Sequence, residues 1–303
     1  MLRKSATKTR RGSSSSQLLA ARDHSGYIME SKYEVSRLEK KTDPQLAWRQ
    51  LAWAGLRPGM RALEVGCGSG AVTRVMERIV VAGHAIGVDQ SADRIKAART
   101  LARKANLGVR FKLGNAYALP VGDGKFDFAW SRFLFEYLRH PERALRELIR
   151  VTKPGGIISV ADLDGQLEQF YPLDRSLKRD LTEALRLLGA TGFDPHLGRK
   201  LFTMFQIAGL HNIRVKAAPY QVYAGPMKSA DLANWRLKSE NSGRLLARLT
   251  GDTKRWMSFS ERFMRVFERS DLFYHCTMIH VSARSPTRAL MSRKLVFAKT
   301  ADR

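Results

Sequence analysis

One stretch in the first third of the chain has the residue types and spacing of a site that binds a nucleoside. A short apolar run includes Glu64 and leads into three alternating glycines, Gly66, Gly68 and Gly70. A second apolar run ends at Asp89, nineteen positions after the last of these glycines. Glycine lets the backbone approach a ligand closely, and a carboxylate at the tip of the next strand can accept hydrogen bonds from both hydroxyls of a ribose. We therefore predict a strand, a tight turn, a helix and a second strand around a bound nucleoside.

The spacing alone leaves two classes of cofactor open. The Gly-x-Gly-x-x-Ala pattern from 66 to 71 satisfies the relaxed dinucleotide fingerprint, with Asp89 near the expected offset. However, Glu64 stands at the tip of the strand, where a dinucleotide site usually keeps an apolar residue. The third alternating glycine, Gly70, is a second departure from that fingerprint. Both details favour a nucleoside cofactor without a diphosphate.

The Glu-x-Gly-x-Gly-x-Gly pattern from 64 to 70 resembles motif I of the class I S-adenosylmethionine-dependent methyltransferases. Three later segments resemble further motifs of that family: Gly-Asn-Ala-Tyr-Ala-Leu-Pro at 114–120, Phe-Asp-Phe-Ala-Trp-Ser-Arg at 126–132 and Arg-Val-Thr-Lys-Pro-Gly-Gly at 150–156. The resemblance covers about 33–164, roughly half of the chain. Within the family, the chain is most similar to the small-molecule group that includes the ubiquinone and menaquinone biosynthesis methyltransferases.

This resemblance implies S-adenosylmethionine as the cofactor and a set of residues that bind it. The set comprises Glu64, Gly66, Gly68, Gly70, Asp89, Asn115, Ala116, Arg132, Arg37 and Tyr27. In that family the glycine turn faces the amino-acid end of the cofactor, and the segment at 114–120 meets the adenine. Tyr27 and Arg37 lie on an N-terminal segment that folds over the cofactor in similar enzymes, where an arginine can pair with the methionine carboxylate.

Asn115 departs from the family pattern, which usually has aspartate at this position. An amide oxygen can still accept a hydrogen bond from the adenine amino group. It lacks the charge-assisted component, which makes a hydrogen bond roughly twice as strong. We therefore expect weaker cofactor binding than an aspartate would give.

Apolar periodicity predicts helices that alternate with strands, which is typical of an α/β, Rossmann-like, doubly wound and mostly parallel sheet. The predicted strands are 61–65, 84–88, 109–113, 126–130 and 157–161, followed by 211–222 and 275–283; the predicted helices are 27–56, interrupted near Pro44, and then 71–81, 92–105 and 141–151. The sheet is thus expected to have seven strands with the last one antiparallel. In such a sheet, ligands bind at the carboxyl ends of the strands, and the candidate residues follow those ends.

Two helical insertions, at about 165–210 and 226–272, are expected to form a lid over the site. Their apolar and aromatic residues suggest a hydrophobic acceptor. Methyl transfer depends mainly on alignment of the acceptor with the methyl group, so no catalytic residue is assigned. Glu136, Tyr137 and His140 follow the fourth strand and are candidates for contact with the acceptor, although ordinary surface positions explain them equally well. No histidine or cysteine spacing indicates a metal site.

The chain of 303 residues carries a formal net charge of +25. Residues 1–16 hold five basic residues and no acidic one, and 287–303 hold five basic residues and one acidic residue. We expect 1–24 to be a disordered basic segment, 25–286 to be the methyltransferase domain and 287–303 to be a basic tail. Because a basic surface is typical of phosphate-binding proteins, RNA or protein methylation, and a non-catalytic role in cofactor binding, stay open beside methylation of a small molecule.

No apolar run reaches the roughly eighteen residues that a membrane span needs. The predicted partner is a small-molecule acceptor, with nucleic acid as the less favoured alternative. The two cysteines, Cys67 and Cys276, cannot build a disulfide framework and indicate a reducing compartment. A cytoplasmic location is the expectation. The basic, serine-rich N-terminus also fits an organelle-targeting segment.

Overall fold

The computed structural model describes residues 27–286, apart from residues 28, 30, 32, 82 and 83 and the side chain of residue 230. The predicted disordered segment and basic tail lie outside the described residues. The helices are α1 (Glu34–Lys41), α2 (Pro44–Ala54), α3 (Ala71–Val80), α4 (Ala92–Lys104), α5 (Pro141–Val151), α6 (Arg175–Gly189), α7 (Leu197–Ile207), α8 (Ser229–Thr250) and α9 (Thr253–Val266). The strands are β1 (Ala62–Val65), β2 (Ala85–Asp89), β3 (Arg110–Leu113), β4 (Phe126–Arg132), β5 (Thr152–Asp164), β6 (Phe170–Tyr171), β7 (His211–Ala224) and β8 (Phe273–Arg284).

The strands form one mostly parallel sheet in the order β3-β2-β1-β4-β5-β8, with β7 on the far side of β8. The first five strands in this order are parallel to their neighbours. Strand β8 is antiparallel to both β5 and β7. The doubly wound fold is therefore confirmed, and the order changes direction between β1 and β4, where such sheets bind ligands.

The sheet differs from the prediction in two places. The described residues form eight strands rather than seven, because the two-residue strand β6 pairs with β8 beyond the end of β5. In addition, β5 begins at Thr152 instead of Ile157. Its register shifts between Thr152, opposite Phe126, and Ile157, opposite Phe128. The Lys-Pro-Gly-Gly segment at 153–156 thus bulges within a strand, because proline and glycine interrupt regular pairing without ending it.

Helices pack against both faces of the sheet, and each face has its own hydrophobic core. Leu63 and Ala129 belong to the core on the face that also holds Leu145 of α5. Phe128 and Trp130 belong to the core on the other face, with residues of α2 and α3. Because neighbouring residues of a strand point to opposite faces, one short apolar run serves both cores.

Helices α6, α8 and α9 of the two predicted insertions pack together, and we call them the lid; their aromatic residues pack mainly against one another. Helix α7 of the first insertion packs against the sheet instead. The Trp235 ring lies 4.9 Å from that of Phe267, centroid to centroid. Phe170 of β6 lies 4.3 Å from Tyr274 of β8 and 5.3 Å from Phe263 of α9. These rings join the lid to the end of the sheet. Among the described helices, none is both long and apolar enough to cross a lipid bilayer.

Candidate functional site

The turn between β1 and α3 has three glycines with positive φ, +76° at Gly66, +53° at Gly68 and +76° at Gly70. These backbone angles are costly for residues that carry a Cβ atom. A Cβ atom at position 68 would also lie 2.6 Å from Cδ1 of Leu38. The glycines therefore allow both the turn and the close approach of helix α1.

Asp89, the last residue of β2, fixes this turn from the neighbouring strand. The N–H of Gly68 donates a hydrogen bond of 2.9 Å to Oδ2 of Asp89. Oδ1 accepts hydrogen bonds from the Ser91 N–H at 2.9 Å and from Nε of Arg94 at 3.0 Å. The side chain is buried, and Oδ2, which accepts one of these three hydrogen bonds, has a further lone pair for a ligand. Asp89 is thus oriented by its neighbours before a ribose binds.

Glu64 is a buried carboxylate at the tip of β1. Its Oε2 accepts a hydrogen bond from the hydroxyl of Thr73. Burial raises the pKa of Glu64 to about 7. None of the described basic side chains comes within 4.0 Å of its carboxylate. Since a buried anion is stabilised by an opposite charge, a cationic group of a ligand fits this position.

Asn115 and Ala116 follow the end of β3. Oδ1 of Asn115 accepts a hydrogen bond of 2.8 Å from the backbone N–H of Tyr117, which forms a local turn. One lone pair of Oδ1 and the NH₂ group remain for a ligand. Gly114 makes this turn compact, because a Cβ atom there would lie 2.5 Å from Cδ of Pro120.

These groups face one cavity of about 810 Å³ at the carboxyl ends of the parallel strands. Nine of the ten residues that the sequence predicts for cofactor binding line it: Tyr27, Arg37, Glu64, Gly66, Gly68, Asp89, Asn115, Ala116 and Arg132. The cavity is large enough for a nucleoside with an amino-acid side arm.

Residues 63–160 match a family model described as a methyltransferase domain. Residues 63–160, from β1 into β5, therefore form a methyltransferase domain. The chain is 32% identical over 149 residues to an uncharacterized methyltransferase of Schizosaccharomyces pombe, which covers 46% of this chain and 53% of that protein. It is 31% identical over 156 residues to the 2-methyl-6-phytyl-1,4-hydroquinone methyltransferase of Synechocystis, which covers 50% of this chain and 47% of that protein.

The chain thus spans about half the length of these curated relatives. Among solved structures, a putative methyltransferase from Bacillus halodurans is similar, with a TM-score of 0.54 and 17% sequence identity. The similarity covers 80% of this chain and 99% of that one. At this identity the likeness shows the fold of the methyltransferase domain and leaves its acceptor open.

Arg37 of α1 lies in the wall of the cavity, but its guanidinium already has a bidentate partner. Nε and Nη2 donate hydrogen bonds of 2.7 Å to the two carboxylate oxygens of Glu34. The hydroxyl of Tyr27 donates to the same carboxylate at 2.9 Å. Because both side chains of the ion pair are buried, Arg37 helps to close α1 over the methyltransferase domain. The bidentate fork that was expected for a methionine carboxylate is engaged within the protein.

Arg132, at the end of β4, is a more available cation. Its guanidinium donates hydrogen bonds of 3.0 Å to Oε1 of Gln50 and 3.5 Å to the hydroxyl of Thr42. No described carboxylate lies within 4.0 Å of it. Burial lowers the pKa of Arg132, although arginine stays protonated in proteins. An anionic group of a ligand would supply the missing counter-charge.

Gly70 is the predicted residue that does not line the cavity. A Cβ atom there would lie 2.5 Å from Cζ of Phe111 and 3.1 Å from Cβ of Ala98. Gly70 therefore lets the start of α3 pack against strand β3 and helix α4, and its alternation with the other glycines does not imply a ligand contact.

A second, narrow pocket of about 40 Å³ lies under the lid of the methyltransferase domain. Its walls are mostly apolar and include Leu181, Leu185 and Leu188 of α6 with Trp235 and Phe263 of α8 and α9. Tyr137 lines both this pocket and the larger cavity, so the two spaces meet at its side chain.

The three acceptor-contact candidates after β4 lie in different environments. Tyr137 separates the two spaces, and Glu136 is buried beside it. His140 lines neither space and is exposed, with Nδ1 at 3.7 Å from Oε1 of Glu142. His140 is therefore a surface residue in this structure.

Two lysines at the same boundary were missed by the sequence reading. Lys41 of α1 lines the larger cavity, and Lys238 of α8 lines the apolar pocket. Lys41 follows Lys40 in a charged stretch of the sequence, and such a stretch is typical of an exposed helix face. Lys238 lies in an insertion without a motif. Only the packing of the lid against α1 brings these two ammonium groups near Glu136.

Proposed function

We propose that this protein binds S-adenosylmethionine in the 810 Å³ cavity and transfers its methyl group to a small acceptor with an apolar body. The observation that carries the proposal is the junction at Tyr137 between that cavity and the apolar pocket under the lid. A cofactor on one side of the junction would face an acceptor on the other.

The residues around the cavity fit the chemical groups of this cofactor. Asp89 suits the ribose hydroxyls, and Asn115 with Ala116 suits the adenine. The buried carboxylate of Glu64 fits a positive charge such as the ammonium or sulfonium of the cofactor, because no described basic side chain neutralises it. Arg132 suits the methionine carboxylate better than Arg37, whose fork holds Glu34.

The cofactor supplies an electrophilic methyl group, so the protein's task is to orient the acceptor and to exclude water. The closely packed rings of the lid keep water away from the junction, as their contacts with β6 and β8 indicate. The relatives whose names include a hydroquinone or quinone acceptor support an apolar small molecule rather than a polymer. The acceptor itself is not defined by these names.

The decisive experiment follows the methyl group. The full chain is incubated with tritiated S-adenosylmethionine and a cell extract, which is then separated into organic-soluble small molecules, RNA and protein. Label in the organic fraction supports the proposal. Label in RNA or protein instead would assign the domain to a macromolecular acceptor, and cofactor binding without any transfer would indicate a non-catalytic role. Asp89→Asn is the negative control, and Asp93→Asn is matched to it because Asp93 is an exposed carboxylate at the rim of the same cavity.

A further inference from the structure

Three ionisable side chains are gathered at the boundary between the cavity and the apolar pocket. Lys41 Nζ lies 3.9 Å from the ring centre of Phe133, and Lys238 Nζ lies 5.0 Å from that of Trp235. Glu136 lies in the turn after β4, is 1% exposed and interacts electrostatically with both lysines. Among the described residues, no carboxylate comes within 4.0 Å of either ammonium.

Glu136 is buried and the two lysines are half-buried, and among the described residues none of the three has the ion pair that usually accompanies such a charge. Oε2 of Glu136 has no hydrogen-bond partner among the described residues. Burial lowers the pKa of Lys41 and lowers that of Lys238 to about 8, which leaves Lys238 largely protonated at neutral pH. Burial also raises the pKa of Glu136, which favours its neutral, hydrogen-bond-donating form. A buried charge without a partner is costly, so a ligand of complementary charge would relieve the cost.

The other charged groups that face this boundary do not supply that complementary charge. Arg37 is neutralised by its bidentate pair with Glu34. Arg132 adds a third cation whose hydrogen bonds go to neutral partners. Asp162 lies near Glu136, and burial raises the pKa of Asp162, which favours its neutral form. Positive charge is therefore in excess at the junction, even after one cation is assigned to the carboxylate of the methionine moiety.

We propose that the acceptor carries one anionic oxygen group, a carboxylate or an ionised hydroxyl, which is bound between the ammonium groups of Lys41 and Lys238. The apolar body of the acceptor then extends from Lys238 into the pocket beneath α6, α8 and α9, where Lys238 is the one charged residue among the described residues of the lining. Glu136 donates a hydrogen bond to the same oxygen group. This inference rests on the proposed function, since it defines the acceptor of that reaction.

The pocket is narrow, so the test uses short probes. Hexanoate, hexan-1-ol and 4-methylphenol are titrated into the full chain in the presence of saturating S-adenosylhomocysteine, and binding is followed by ligand-observed NMR. We expect hexanoate or 4-methylphenol to bind at least tenfold more tightly than hexan-1-ol. A preference for hexanoate identifies a carboxylate, and a preference for 4-methylphenol identifies an acidic hydroxyl. Equal or tighter binding of the neutral alcohol overturns the inference.

Lys41→Met and Lys238→Met are the test variants, because methionine keeps the apolar stem of lysine and removes its charge. Each is expected to reduce the affinity for the preferred probe at least tenfold and to leave hexan-1-ol binding unchanged. Lys238→Met, which lies outside the cofactor cavity, should also leave S-adenosylhomocysteine binding unchanged. Lys40→Met is the matched control, since Lys40 is the exposed neighbour of Lys41. Unchanged affinity in both test variants overturns the inference. If the wild-type protein does not bind S-adenosylhomocysteine, the proposed function is wrong. If it binds S-adenosylhomocysteine but shows no preference for the anionic probes, only this inference about the acceptor is wrong.

Discussion

The backbone N–H of Gly68 donates a hydrogen bond of 2.9 Å to the carboxylate of Asp89, which joins the glycine turn after β1 to the tip of β2. These residues are 21 positions apart in the chain. Two features of the sequence pattern, the central glycine and the terminal acid, are therefore parts of one hydrogen-bonded unit. Asp89 therefore has two roles: it can bind a ligand, and it stabilises the glycine turn that lines the same cavity.

Asp89→Asn should weaken S-adenosylhomocysteine binding at least tenfold. The amide has one acceptor oxygen where the carboxylate has two, so it cannot serve Gly68, Arg94 and a ribose together. A hydrogen bond to a charged group contributes about 1.5–3 kcal/mol, which corresponds to a tenfold effect or more. Isothermal titration calorimetry measures the change, and a thermal melt confirms that the variant is folded. Wild-type affinity in this variant would contradict the assignment of Asp89 to the cofactor.

Gly68→Ala should reduce both cofactor affinity and stability. The new methyl group would lie 2.6 Å from Cδ1 of Leu38 and would push α1 away from the cavity. Gly124→Ala is the matched control, because Gly124 has a similar φ of +59° but no atom within 4 Å of the added Cβ. In both variants, alanine in the left-handed conformation should lower the free energy of unfolding by about 1 kcal/mol. Only Gly68→Ala should lose affinity for S-adenosylhomocysteine, and equal losses in the two variants would show that the contact with Leu38 is unimportant.

The buried carboxyl of Glu64 should make the stability of the ligand-free protein depend on pH. Its pKa is raised from 4.5 to about 7 by burial, so the folded protein binds more protons than the unfolded chain between these values. The contribution of Glu64 is therefore most favourable below about pH 4.5 and is lost as the pH rises through 7, by about 3 kcal/mol at most.

Glu64→Gln isolates this contribution from that of the other titratable groups. Relative to the wild type, the variant should become more stable as the pH is raised from 5 to 8. Urea denaturation of both proteins across this range measures the difference in the free energy of unfolding. Parallel pH profiles would mean that Glu64 has an ordinary pKa in the folded protein.

The placement of Glu64, Asp89 and Asn115 around one cavity could be predicted from the sequence, because local patterns define the strands and parallel strands end at the same edge. The same logic gave the antiparallel orientation of the last strand. These features depend on short-range periodicity and on general rules of parallel sheets.

The partners of individual charged residues could not be predicted in this way. The resemblance implies a ligand contact for Arg37, and the structure shows a buried pair with Glu34. Lys238 carries no signal in the sequence, because its neighbours at the junction come from elements nearly two hundred residues away in the chain, such as Lys41. Partner choice among long, flexible side chains depends on tertiary packing and burial, which a single sequence does not display.

Asn115→Asp should increase cofactor affinity, and Asn115→Ala should decrease it. In the structure, Oδ1 of Asn115 already accepts the N–H of Tyr117, so it offers a ligand one uncharged lone pair beside its NH₂ group. An aspartate would keep one oxygen on Tyr117 and direct the other, with its charge, to the amino group of an adenine. The gain of a charge-assisted hydrogen bond predicts an affinity increase of up to about tenfold.

Calorimetric titration with S-adenosylhomocysteine measures this change in affinity. Competition with S-inosylhomocysteine, which has a carbonyl in place of the amino group, provides the control. The aspartate variant should bind the inosyl analogue less tightly than the wild type does; improved binding of both compounds would show that position 115 acts through the shape of its turn and not through the adenine.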